Sequence, residues 1–168
     1  FEAFKSMDAQ NKKIVIVGAG ITGAASAYYL SCLDSNLDIL VIDKLSPLSF
    51  TTSCSGENFR EYWPQPMMNE FIGHSIELMK DLSSRYENCF NLKYSGYDFV
   101  THIQNHSIFP INTSTSNSIE RLENSVKIQS TKPYLDDSIQ AVEHIKNAGS
   151  IDVYALGSLF IKLAKANG

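Results

Sequence analysis

Residues 14–23 constrain this chain more than any other stretch. Ile14-Val15-Ile16-Val17 is a continuous β-branched run, which suits a strand buried on both faces of a parallel sheet. It passes without a break into Gly18-Ala19-Gly20-Ile21-Thr22-Gly23, and the small-residue segment from Ala24 to Leu30 continues as a helix. Leu37–Ile42 then reads as a second strand that ends at Asp43. These pieces make one β-α-β unit of ordinary length.

A G-x-G-x-x-G pattern by itself says little, because glycines are common in turns. Here its surroundings agree with it. Gly18 directly follows a buried-type strand, and Gly20 lets the backbone approach a pyrophosphate. Gly23 permits close packing of helix on strand, and Asp43 lies 25 residues after Gly18, where its carboxylate can accept from ribose hydroxyls. Ala19, Ile21 and Thr22 share the turn and belong to the same expected cradle. An acid at position 43 disfavours a 2′-phosphate, so FAD or NAD is expected ahead of NADP. The competing reading is a Gly-rich turn in an unrelated α/β protein.

Further along, residues 44–65 read as a loop containing Pro47 and Pro64. A helix is expected from Pro66, with Met68, Phe71, Ile72, Ile76, Met79 and Leu82 recurring at three- and four-residue steps. Tyr97–Ile103 reads as a strand, residues 104–118 as a polar connection, and 119–126 as a short helix. A last helix is expected with Asp152 as N-cap, an apolar stripe of Val153, Leu156, Leu159, Phe160 and Leu163, and a C-cap at Asn167-Gly168.

The turn Gly-Ala-Gly-Ile-Thr-Gly resembles those of flavoproteins of the D-amino-acid oxidase, glycine oxidase and sarcosine oxidase superfamily. Asp43-Lys44 is followed by Thr51-Thr52-Ser53-Cys54-Ser55-Gly56-Glu57-Asn58-Phe59-Arg60, which resembles that family's second cofactor loop. The helix from 66 to 89, the strand at Gly96–Val100 and the stretch from Ala148 to Gly168, similar to the family's returning helix, follow in the family's order. The resemblance implies an α/β fold: a partial Rossmann-like FAD-binding domain with the start of an α+β substrate domain. Residues 7–91 would form the first part of the FAD domain, 92–147 the start of the substrate domain, and 148–168 the return.

It further implies that Lys44, Thr52, Ser53, Cys54, Ser55, Gly56 and Asn58 join the glycine turn and Asp43 around FAD. Small residues suit a loop pressed against a pyrophosphate and a planar ring, although an ordinary Ser/Thr surface loop has the same composition. Some members attach flavin through a His in this loop. Here Ser53 stands at the comparable position and no His lies within 51–60, so non-covalent FAD is expected. The implied reaction is oxidation of a C–N bond in an amino acid or secondary amine, by hydride transfer to flavin. A hydroxy-acid oxidoreductase of the same fold, an NAD enzyme and a non-catalytic flavin-binding fragment are the alternatives.

Cys54 reads as a small buried thiol rather than a flavin anchor. Arg60 either faces the flavin or a substrate carboxylate through its bidentate fork, or is a surface or structural residue. His74, His102, His106 and His144 show no spacing for a metal site or triad, and no catalytic residue is assigned.

The family is considerably longer than this chain, so the remaining part of an enzyme or a completing chain is the expected partner, beside a small-molecule amine or amino-acid substrate. Net charge is −4, and no basic cluster exceeds a pair, which argues against nucleic acid. No apolar run spans a bilayer, and no membrane partner is expected. Cys32, Cys54 and Cys89 stand apart without a C-x-x-C pair, as reduced cytoplasmic thiols would. Sequons at Asn105 and Asn112 read as chance. Phe1–Ser6 is either a native arm or an added segment.

Overall fold

A computed structural model describes residues 12–103 and 119–167. The expected connection at 104–118, both sequons, His106, the segment before Met7 and the Gly168 end of the C-cap lie outside the described residues. In chain order the first elements are β1 (Lys13–Val17), α1 (Ile21–Leu33), β2 (Asp38–Ile42), a 3₁₀ turn (Thr51–Cys54), β3 (Asn58–Arg60) and α2 (Pro66–Arg85). There follow β4 (Lys93–Tyr94), β5 (Tyr97–Thr101), β6 (Ile119–Leu122), α3 (Ser125–Thr131), β7 (Ala141–Ile145), β8 (Ala148–Ser150) and α4 (Val153–Asn167). They fall into two compact units, one up to Gly56 together with the segment from Asp152, the other Glu57–Ile151.

In the first unit β1 and β2 pair in parallel, from Lys13 opposite Asp38 to Val17 opposite Ile42. The expected burial of β1 on both faces is not found: one face is half-buried and the other is exposed. Ile14 and Ile16 are half-buried, while Val15 and Val17 are 56% and 82% exposed. The sheet has two strands, and no described element covers the face bearing Val15, Val17, Leu40 and Ile42. On the helical side, buried Ala24, Ala27 and Tyr28 of α1 meet α4, where the Phe160 ring stacks on Tyr28 at 5.4 Å. Asp152 caps α4 as expected: its Oδ1 accepts from the Ala155 N–H at 2.7 Å. Val153, Leu156 and Phe160 of the stripe are buried.

The second unit holds two antiparallel three-stranded sheets, ordered β3-β8-β4 and β5-β7-β6. The helix expected over 119–126 is not there. Ile119–Leu122 instead forms β6, with Ile119 opposite Ile145 and Leu122 opposite Val142. Pairing with β7 overrides local helical spacing, and the helix starts only after Asn124, whose side chain accepts from Val126 N and Lys127 N. The segment 148–150, read as the approach to the last helix, is the central strand β8. The loop expected over 44–65 contains the 3₁₀ turn and β3. The compact units divide at 56/57 and 151/152, where β3 and β4 both pair with β8.

Helix α2 buries Ile76 and Leu82 to 1% exposure, whereas Met67 and Phe71 near its start remain 82% and 63% exposed. One core cluster joins Tyr62, Ile145 and Ala148, and another joins Leu122, Ile128, Ile139 and Val142. Between strands, Glu143 is 1% exposed and takes Arg121 Nη1 on Oε1 at 2.5 Å. Burial, reinforced by the Glu143 charge, pushes the Tyr62 hydroxyl pKa up. Removing one partner from such a buried pair strands a charge in low dielectric. Arg121→Met is accordingly expected to destabilise this unit by about 3–5 kcal/mol. The double variant with Glu143→Gln should recover much of that loss, as read from denaturant midpoints.

Candidate functional site

The glycine turn sits where β1 ends and α1 begins. Gly18 has φ of +109°, a conformation that side chains rarely adopt, and open space where its Cβ would stand. A Cβ on Gly23 would lie 1.9 Å from the Gly18 carbonyl oxygen, so only glycine lets α1 start this close to the turn. A Cβ on Gly20 would stand 3.2 Å from Thr52 Oγ1. The absent side chain at Gly20 thus admits a threonine from the second loop as well as an approaching phosphate.

Four contacts tie the turn down. Gly18 N–H donates to the Ile42 carbonyl at 2.8 Å, and Ala19 N–H donates to Asp43 Oδ2 at 2.7 Å. The Ala19 carbonyl accepts from Leu48 N–H at 3.0 Å, and Ile21 N–H donates to Thr52 Oγ1 at 3.0 Å. An α-helix leaves its first amides without intrahelical acceptors. Here Thr52 takes the first of them, and no acceptor from the described residues reaches the N–H groups of Gly20, Thr22 or Gly23. Three N–H donors at a helix N-terminus, where the dipole favours negative charge, suit a diphosphate.

Asp43 receives two amides, Ala19 on Oδ2 and Leu45 on Oδ1 at 2.9 Å. The Ala19 amide, then that of Leu45, with Lys44 assisting, holds its carboxyl below the usual aspartate range. A carboxylate has about four lone-pair positions, so two amides leave it able to accept from ribose hydroxyls.

The loop from Asp43 to Thr52 is pinned from beneath. Leu48 is 3% exposed despite a φ of +64°, and its side chain fills the space where a Gly157 Cβ would stand, with Cδ2 2.5 Å from that point. Ser49 Oγ donates to the Ser46 carbonyl, and Ser53 Oγ to the carbonyls of Ser49 and Phe50, so the polar loop closes on itself.

Two clefts flank the turn and share Gly18, Gly20, Thr51 and Thr52 on their walls. The larger, about 560 Å³, also presents Ile21, Thr22, Gly23, Cys54, Ser55 and Val153. The smaller, about 220 Å³, lies beside Asp43 and is walled by residues 45, 46 and 48–50. Donors, carboxylate and space fit the ADP half of a dinucleotide.

Of the expected site residues, the structure brings together Gly18, Ala19, Gly20, Ile21, Thr22, Gly23, Asp43, Thr52, Cys54 and Ser55. Lys44 is exposed beside Asp43, Gly56 is exposed at the end of the first unit, and Ser53 holds the loop through its carbonyl contacts. Asn58 lies in the second unit, paired with Ser150. The expectation of a buried thiol at Cys54 is overturned: Cys54 is exposed, because the 3₁₀ turn buries Thr52 and leaves its neighbours on the open side. Leu48, Phe50, Val153 and Gly157 were not among the expected residues. No spacing rule marks them, since they act through contacts distant in sequence.

Arg60, in the second unit, stacks its guanidinium over Trp63 at 4.5 Å and Phe99 at 5.2 Å. Its Nε is buried and no acceptor from the described residues reaches it. The group borders a cavity of about 420 Å³ with Phe59, Trp63, Ile76, Met79 and Tyr97. His144 Nδ1 pairs with Asp98 Oδ1 at 2.7 Å and His102 Nδ1 meets Ser138 Oγ at 2.9 Å, so both are structural. The described residues contain no group able to hold a metal ion, and no described helix is long and apolar enough to cross a membrane.

The sequence pattern of the family described as FAD dependent oxidoreductase matches residues 13–168. No curated protein matches the chain. Among solved structures, L-proline dehydrogenase from P. horikoshii superposes with a TM-score of 0.74 at 21% identity, covering 95% of this chain and 43% of that one. Glycine oxidase from Bacillus cereus gives 0.71 at 15% identity, over 95% of this chain and 46% of that one. L-α-glycerophosphate oxidase from Mycoplasma pneumoniae, with FAD bound, gives 0.68 at 17% identity, over 93% and 42%. The chain thus spans less than half the length of each of these structures.

Thr52→Val removes the acceptor for Ile21 N–H while keeping the side chain's volume. A lost cap of this kind costs about 1 kcal/mol, and dinucleotide affinity should fall roughly fivefold. Asp43→Asn keeps one oxygen acceptor and loses the second. A depressed carboxyl pKa stabilises above the ordinary value and loses that contribution as pH falls through the depressed one. Wild-type affinity should therefore hold at neutral pH and through the ordinary aspartate range, and fall only as pH drops through the depressed value, whereas Asp43→Asn is weaker and lacks that step. Titration of the apoprotein with ADP across that range reads both effects.

Proposed function

The chain belongs to the FAD-dependent oxidoreductase family, and on that premise we propose that its first unit holds the ADP half of FAD in an enzyme that oxidises the C–N bond of an amino acid or secondary amine. The observation that carries this reading is the pairing pattern of the turn. Ala19 and Ile21 amides are satisfied by Asp43 and Thr52, which leaves Gly20, Thr22 and Gly23 to donate to a diphosphate.

In this reading Asp43 accepts from the ribose, and Thr52, Cys54 and Ser55 wall the cleft along which the cofactor extends. Ser53 keeps that wall in shape, Gly56 gives it slack, and Lys44 balances the charge of Asp43. Asn58 lines a cavity of the second unit together with Arg60. Residues 51–60 contain no His, so this loop makes no histidyl bond to the cofactor. When bound, FAD supplies the acceptor for the hydride that leaves the substrate carbon.

The amine substrate class rests on the names of similar structures, glycine oxidase and L-proline dehydrogenase, and on Arg60. A guanidinium stacked on two rings is fixed in orientation, and its Nε, for which the described residues offer no acceptor, can donate to a carboxylate. We assign it to the substrate carboxylate. A hydroxy substrate is the second reading, supported by the L-α-glycerophosphate oxidase among the similar structures. All three thiols are free and exposed, which favours a reducing compartment such as the cytoplasm.

The purified protein is expected to show flavin absorption that bleaches anaerobically with one or more amino acids and not with 2-hydroxy acids. Bleaching by hydroxy acids alone selects the second reading, and a colourless protein that binds no FAD refutes both. Arg60→Met should raise KM for a carboxylate-bearing amine at least tenfold, by loss of a charge-assisted pair. The corresponding amine lacking the carboxylate should be unaffected.

A further inference from the structure

The smaller cleft beside Asp43 carries one aromatic side chain on its wall, Phe50, and the larger cleft carries none. Phe50 is 74% exposed, although it lies in a loop held at several points. On one side Leu48 is buried and its N–H is bonded to the Ala19 carbonyl at 3.0 Å. On the other, Thr52 is buried and bonded to Ile21 N–H at 3.0 Å. The Phe50 carbonyl itself accepts from Ser53 N–H at 3.1 Å and Ser53 Oγ at 2.8 Å. With both neighbours anchored, the Phe50 backbone is held beside the cleft.

A single exposed aromatic needs no explanation by itself. Its place does: it borders the same small cleft as the carboxylate that would accept from the ribose, and the base of a dinucleotide is attached to that ribose. Aromatic faces bind nucleobases by stacking, whatever the base, and a ring carried on a backbone held beforehand has only its own rotamer freedom to lose on doing so.

We propose that Phe50 is the stacking platform for the adenine of the bound dinucleotide, so that this loop selects the adenine-bearing cofactor over FMN. The inference rests on the FAD reading above. Leu48 and Thr52 act here as positioning residues, since they set where the ring stands without touching the base.

The experiment titrates the intact apoprotein and its Phe50→Ala, Phe50→Leu and Phe50→Trp variants with FAD, FMN and ADP, and with the fluorescent ethenoadenosine diphosphate. Phe50→Ala should bind FAD and ADP about tenfold more weakly or worse, the range for losing a stacked base. It should leave FMN affinity and thermal unfolding of the apoprotein unchanged. Phe50→Trp should keep wild-type affinity, Phe50→Leu should fall between, and ethenoadenosine fluorescence should be quenched by wild type and Phe50→Trp only. Equal ADP affinity in wild type and Phe50→Ala overturns the platform while leaving the FAD reading intact, as does an equal loss for FMN. A wild-type protein that binds neither ADP nor FAD overturns both.

Discussion

Everything in the first unit depends on how the backbone amides of residues 18–23 are shared out. A helix start must leave donors unpaired, and a protein can cap them itself or keep them for a ligand. This chain does both. Ile42, Asp43 and Thr52 take the amides of Gly18, Ala19 and Ile21, while those of Gly20, Thr22 and Gly23 are kept. The capping groups come from the end of β2 and the 3₁₀ turn, so the same contacts that shape the turn also bring the cleft walls together. An anion entering this place meets donors that are already aimed, with little reorganisation.

The two acidic anchors of the chain illustrate different electrostatics. Asp43 is solvent-facing and gains its low pKa from amides, so its charge remains available to a ligand. Asp98 is partly buried, and burial alone would raise its pKa; Lys132 and His144 outweigh that and lower it. It is saturated by structural partners, with Lys132 Nζ at 2.6 Å and His144 Nδ1 at 2.7 Å. A carboxylate already committed to an ammonium and an imidazole has little left for a substrate.

How much was legible in the sequence differs by element. The β-α-β start was readable because period and punctuation agree there: a β-branched run, a glycine turn, small helical residues and a terminal acid occur within thirty residues or so. The cap at Asp152 was readable for the same local reason. Strand β6 is not, since Ile119 and Leu122, three residues apart, fit helical spacing and not strand alternation, and only pairing with β7, some twenty residues later, overrides that spacing. Double burial of β1 was over-read from composition, which reports what a strand can tolerate and not what covers it. The exposure of Cys54 is not legible from residue type, because thiols are usually buried, whereas this short 3₁₀ turn buries only Thr52. Leu48 and Gly157 could not be found from spacing at all, since their meaning lies in a pair more than a hundred residues apart.

That pair bears on how the protein is made. Val153 completes the larger cleft and Gly157 seats Leu48, yet both belong to α4, whose residues are synthesised long after the loop they support. Between Gly56 and Asp152 the ribosome adds the whole second unit, a delay of roughly 5–20 s at ordinary rates of elongation. Through that interval the nascent glycine turn has its strand, its helix and its acid, but neither the leucine's seat nor the far wall. A pause before residue 152 would leave Tyr28 and the helix-facing apolar surface of α1 without the Phe160 ring that stacks on it.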